Sequence, residues 1–243
     1  MILTIKNKDN FLKNFLNPIS RLDASISLDL KETEVSTIVH NNSNIFLKAT
    51  SQVETESYEN RTLTLPDVIK LIKILSCIEQ EDINLNIDTN CITYSDTNNK
   101  FKYHLFDSSV VNNNTFNFDK IDEIDFNTNF TLTREKNNSI LKALPFVTES
   151  SKLYLSTKDG NVYAELSDKK LHNVDSYTTL ISEKYNGEEI NQELILDIEL
   201  FRLVSTLSFQ DCTIYINSKF KMLKIEMNID NCKLLFVSTS FKN

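Results

Sequence analysis

LTREKNNSILKALPF, Leu132 to Phe146, has a counterpart near the start of the chain, LTIKNKDNFLKNFLN, Leu3 to Asn17. Set side by side, Leu132 falls on Leu3, Thr133 on Thr4, Ile140-Leu141-Lys142 on Phe11-Leu12-Lys13, and Leu144 on Phe15. Each stretch opens like a strand and runs into apolar residues three and four apart, the spacing of one helix face, with a lysine off that face. A second pair keeps the spacing: Asp82-Ile83-Asn84-Leu85-Asn86-Ile87 and Asp211-Cys212-Thr213-Ile214-Tyr215-Ile216 lie 129 residues apart, as do Lys13 and Lys142. Solenoid repeats have periods of roughly 20 to 50 residues. The longer spacing predicts a duplicated domain.

Around these anchors most of the chain alternates apolar and polar residues with the period of a strand: LDASISLDL, NIFLKATSQV, INLNI, KLYLST, NVYAEL, CTIYI and LKIEMNI. The turns between them are rich in Asn, Asp and Ser, which predicts antiparallel hairpins. Helical spacing is expected in four places: about Lys8 to Ile19, Pro66 to Ile78, Glu135 to Val147, and from near Asp197. The fold class is therefore α+β, with strand, helix, strands, helix, strands, run through twice. The expected division is 1–106, a connector 107–127, and 128–243. The connector, FDSSVVNNNTFNFDKIDEIDF, is polar and acidic without a sustained period, and its lack of Gly marks an ordered strap rather than a flexible linker.

Composition removes several classes of function. Gly160 and Gly187 are the only glycines, so phosphate-cradling Gly-rich loops and dinucleotide fingerprints, which need several residues without a Cβ, are excluded. His40, His104 and His172 are scattered, and neither an H-E-x-x-H nor a G-x-S-x-G motif occurs. Cys77, Cys91, Cys212 and Cys232 are far apart, with no C-x-x-C pair, and read as small buried hydrophobes. The expectation is a protein without cofactor, metal or catalysis. No segment approaches the ~20 apolar residues of a membrane span, and a cytoplasmic location is expected.

The net charge of -8 opposes simple coating of nucleic acid, which is driven by neutralising phosphates. The distribution of charge is more telling. Lys8, Lys13, Lys70, Lys73, Lys136, Lys142 and Arg202 lie off the apolar stripes of the four helices, while the acidic excess sits in strands, turns and the connector. Lysines on the wet face of a helix are ordinary. All four helices being basic outward in an acidic, duplicated chain is a separation of charge by secondary structure.

The twofold order of elements, carried by TIKNKDNFLKNFLN and LTLPDVIKLIKILS in the first half and TREKNNSILKAL and LILDIELFRLVSTLS in the second, resembles the DNA polymerase sliding clamps, most of all those of T4-type bacteriophages. The resemblance covers nearly the whole chain and rests on pattern, since these proteins have no short diagnostic motif. It implies two repeated processivity-fold domains, with antiparallel sheets outside and two short helices per domain lining a ring. It implies a homotrimer around double-stranded DNA, held without sequence specificity, that tethers a DNA polymerase and is closed by a clamp loader in the host cytoplasm. Lys8, Lys13, Lys70, Lys73, Arg134, Lys136, Lys142 and Arg202 would face DNA. Subunits would join through the strands near Lys100 to Phe106 and Val174 to Ile181. Val110, Val111, Phe116, Phe118 and Phe241 would line a pocket for a partner's peptide. The competing reading is a non-enzymatic β-rich structural or interaction protein of a virion, with no DNA-encircling role.

Overall fold

Alternating sequence becomes strand throughout, and the strands fall into two sets with one plan. In the computed structural model all residues are described except 42–43, 57–59, 108–115, 148–150, 168, 170–174 and 242–243. The first set is β1 (Ile2–Ile5), β2 (Ile26–Leu30), β3 (Glu34–His40), β4 (Ile45–Gln52), β5 (Glu54–Thr55), β6 (Arg61–Leu65), β7 (Ile83–Ile87), β8 (Cys91–Ser95) and β9 (Lys100–His104). A helix follows β1 in three pieces, α1 (Lys8–Asn10), a π-helical segment (Phe11–Leu16) and α2 (Asn17–Leu22), and α3 (Val68–Ser76) follows β6. The second set is β10 (Thr128–Thr133), β11 (Lys152–Lys158), β12 (Asn161–Leu166), β13 (Tyr177–Ser182), β14 (Asn186–Gly187), β15 (Leu194–Asp197), β16 (Asp211–Asn217), β17 (Met222–Ile229) and β18 (Cys232–Thr239). Between the sets lies α4 (Asp119–Asp122); α5 (Arg134–Lys142) follows β10, and α6 (Ile198–Ser205) follows β15.

The sheets repeat strand for strand. The order β5-β1-β7-β8-β9 recurs as β14-β10-β16-β17-β18, and β4-β3-β2-β6 recurs as β13-β12-β11-β15. The chain divides into two compact units, one comprising Met1–Asn41, Leu47–Phe116 and Asn228–Leu234, the other Asn42–Phe46, Asn117–Met227 and Leu235–Asn243. Part of the connector thus belongs with each unit, and the last hairpin is shared out between them.

The spacing of 129 residues is not uniform through the strands. Leu3 pairs with Leu85 whereas Leu132 pairs with Cys212, so one strand of the pair slips by two residues relative to the other unit. A slip of two keeps every side chain on its face, which is why the pattern survives it. The scarcity of glycine is met by Asn44, Asp159 and Asp230 at positive φ, where short side chains bond locally and tolerate the left-handed region. Gly187 alone is demanded by contact: a Cβ there would lie 2.0 Å from the Asn127 carbonyl oxygen.

The leading helix runs past the expected end at Ile19 to Leu22, and its π segment has a local cause. Pro18 lacks an N–H and crowds the carbonyl four residues back. Widening the preceding turn relieves this, and Asn17 N–H bonds to Leu12 O, five residues back. In the connector, α4 buries Ile121, and Phe118 beside it is 2% exposed. A single turn is too short for periodicity to reveal it.

Candidate nucleic-acid interface

Each unit presents a pair of helices, and each helix start is fixed by a side chain. Asp67 accepts from Lys70 N at 2.9 Å, Thr133 from Lys136 N at 3.2 Å, Asp197 from Glu199 N at 2.9 Å, and Asn7 from Asn10 N at 3.0 Å. Such caps contribute about 1 kcal/mol each and set which residues follow on the outer face.

In the first unit the apolar face of α3 buries Val68, Leu71 and Leu75, which turns Lys70 and Lys73 outward, both exposed. Lys13 is the exposed residue of a π segment that otherwise buries Phe11, Leu12, Asn14, Phe15 and Leu16. Arg21, which the expected end at Ile19 left outside the helix, is a further exposed cation on α2. Lys8 departs from expectation. It is only 5% exposed, its Nζ donates to Ile78 O, and it lies 3.6 Å from Asp9. Ile78 lies just beyond the C-terminal end of α3, where unpaired carbonyls and the helix dipole favour a cation. Lys8 is therefore spent on docking one helix against the other and is withdrawn from the solvent-facing set.

In the second unit Arg134 and Lys142 on α5 are exposed and Lys136 is half-buried. Buried Asn137 donates to Phe201 O at 3.2 Å, joining α5 to α6. Arg202 on α6 is exposed, but its guanidinium is ion-paired with Glu199 one turn earlier.

The expected peptide pocket fares unevenly. Val110 and Val111 lie outside the described residues. Phe118 is packed away, its ring unavailable to a partner, beside the buried Ile121 of α4. Phe116 and Phe241 are half-buried, and Phe241 N–H bonds to Ile195 O at 2.9 Å, continuing the tail along β15. The connector's end is held by Asn217 Nδ2 donating to Asp125 O at 2.7 Å. Lys224 lies 4.8 Å from the rings of both Phe126 and Tyr215.

A groove of about 410 Å³ went unforeseen. Ser139, Lys142, Ala143, Phe146 and Tyr177 line it, beside β13, the outermost strand of its sheet. Phe146, 62% exposed, forms part of its wall. The expected helix, Glu135 to Val147, ends earlier, at Lys142; Phe146, an apolar residue within that expected span but off the stripe of Ile140, Leu141 and Leu144, was the available signal.

No cluster of three or more potential metal ligands occurs among the described residues. No described helix is long and apolar enough to cross a membrane.

No family model matches the sequence, and no curated protein matches it in sequence. Solved structures do match in shape. A. fulgidus PCNA, bound to the C-terminal region of FEN-1, aligns over 100% of this chain and 99% of its own, with a TM-score of 0.79 and 14% identity. The Bacillus subtilis DNA polymerase sliding clamp covers 100% of this chain at a TM-score of 0.76 and 11% identity. A DNA polymerase III beta subunit assigned in Eubacterium rectale does so at 0.75 and 14%. The chain spans 64% and 66% of the length of those two bacterial proteins. Two repeated units of antiparallel sheet, each with its helix pair, are thus the sliding-clamp fold.

Proposed function

We propose that the protein is a DNA sliding clamp: a ring that encircles duplex DNA and tethers a polymerase, with no chemistry of its own. The observation that carries this reading is the pairing of a clamp fold with outward cations on the helices of both units, Lys13, Lys70 and Lys73 in one and Arg134, Lys136 and Lys142 in the other, within a chain of net charge -8. A ring that travels needs positive potential toward phosphates but no base-specific contact, because tight local contacts would stall it. Acidic outer surfaces repel DNA from the wrong side.

Closure of the ring is proposed to use β9 of one copy and β13 of the next, giving a homotrimer. Both are outermost strands of their sheets, and unpaired edges invite another strand. β9 exposes Lys100, Lys102 and His104, while Asp175 and Glu183 flank β13. Two different surfaces that meet head to tail close into a ring. A clamp loader and a polymerase are the implied partners. The resemblance to clamps of T4-type phages makes a bacteriophage, and hence a host cytoplasm, the proposed setting.

Light scattering should give a mass three times that of the chain. With its loader, the protein should remain on nicked circular DNA and run off once the circle is linearised. A monomer that leaves circular and linear DNA at equal rates rules the reading out and favours the virion component.

A further inference from the structure

Aligned on their C-caps, Cys77 and Thr206, α3 and α6 match through their last two turns. Buried Leu71 and Leu75 fall on buried Leu200 and Val204, and buried Ile78 on buried Leu207. The two exposed positions one turn apart also coincide: Lys70 falls on Glu199 and Lys73 on Arg202. Two cations without an ion pair among the described residues in one unit are thus replaced by a closed ion pair in the other.

The same imbalance holds for the helices as wholes. Those of the first unit carry Lys8, Lys13, Arg21, Lys70 and Lys73 against Asp9 alone, and that acid lies beside the buried Lys8. In the second unit α5 and α6, their counterparts, carry Arg134, Lys136, Lys142 and Arg202 against Glu135 and Glu199. The acids next to α3 do not cancel its stripe. Asp67 caps its first turn, and Glu79, Glu81 and Asp82 lie beyond its last; Asp82 is 3.7 Å from Lys6 and accepts from Asn7 N at 3.0 Å.

From this we infer that duplex DNA is gripped unevenly, chiefly by α3 of the first unit through Lys70 and Lys73, while α6 lines the passage with a self-neutralised face on which Glu199 masks Arg202. The inference rests on the clamp reading and adds to it which helix holds the phosphates. An exposed ion pair such as Glu199–Arg202 adds little stability. Its effect is on the field a passing phosphate meets: the guanidinium is already engaged by a carboxylate, so a phosphate must displace that carboxylate before it gains the contact.

The test is binding of the intact protein to a short blunt duplex, followed by fluorescence anisotropy over a range of salt concentrations. Each phosphate contact contributes about 0.9 to the slope of log affinity against log salt. Lys70→Gln with Lys73→Gln should lower the slope by about 1 to 2 and weaken binding several-fold. Arg202→Gln should change neither. Glu199→Gln, which frees the guanidinium, should tighten binding and steepen the slope by up to about 1. All these positions are exposed, and circular dichroism of each variant verifies that the fold is kept. Arg202→Gln weakening binding as much as the Lys70/Lys73 pair, or Glu199→Gln leaving affinity unchanged, overturns the inference with the clamp reading intact. A wild-type protein without salt-dependent affinity for duplex overturns both.

Discussion

The leading helix of the first unit and its counterpart α5 hold the same place and are built with different chemistry. Lys8 and Asn137, 129 residues apart, are both buried, and both donate to a carbonyl at or near their unit's second helix, Ile78 O in one case and Phe201 O in the other. In the first unit the polar contacts extend along the helix: Asn14 Nδ2 donates to Asn10 Oδ1, and Asn10 N–H donates to Asn7 Oδ1. In the second, the Oδ1 of buried Asn137 has no hydrogen-bond partner among the described residues. Two helices packed side by side by apolar stripes can slide along each other with little penalty. A buried donor that must find one carbonyl fixes their register. The difference teaches that the fold requires a pin between the helices and leaves its chemistry open.

Removing the stronger pin should have the larger effect. Lys8→Ala loses a hydrogen bond from a charged donor and the packing of a four-carbon stem, and should cost roughly 2–3 kcal/mol, read as a fall in the urea midpoint. Lys8→Met keeps most of the stem and isolates the bond. Should it match wild type in midpoint, the bond to Ile78 O contributes nothing and the comparison with Asn137 collapses. Asn137→Ala should cost less, about 1 kcal/mol, because it removes an orphaned acceptor together with the donor. Equal losses at both positions would mean that packing alone sets the helix pair.

Much of this plan was readable beforehand, and the failures have physical causes. The duplication and the helix faces were legible because burial forces apolar residues onto one side at fixed spacing, and the stripe through Phe11, Phe15 and Ile19 is long enough to stand out. The burial of Lys8 was not legible. Off-stripe position marks a residue as wet only if nothing packs there, and what packs there is the end of α3, some 70 residues on. The Glu199–Arg202 pair was legible at a spacing of three, where a carboxylate and a guanidinium meet on one helix face and the cation is offset by its own neighbour. Phe118 looked like pocket lining because a one-turn helix leaves no periodic trace.

The cysteines sharpen the comparison through solvent access rather than stability. Burial raises the thiol of Cys212 to about 12, helped by the nearby Asp211 carboxylate, and burial raises Cys232 to about 11. Cys91 is buried with its Sγ 3.7 Å from Asp88 Oδ2. Cys77 is exposed at the C-cap of α3, seven and four residues beyond Lys70 and Lys73 and so along the same side of the helix. Thiolate is the reactive form, so Ellman's reagent at pH 8 should find one fast thiol per chain, absent in Cys77→Ser. In that background Thr206→Cys places a thiol at the matching cap of α6, which is only half-buried, and should restore one reactive group. Short duplex DNA should then protect Cys77 in the native chain more than it protects the new thiol. Equal protection at the two caps would say that both helices meet the phosphates alike, and that the ion pair on α6 opens when DNA arrives.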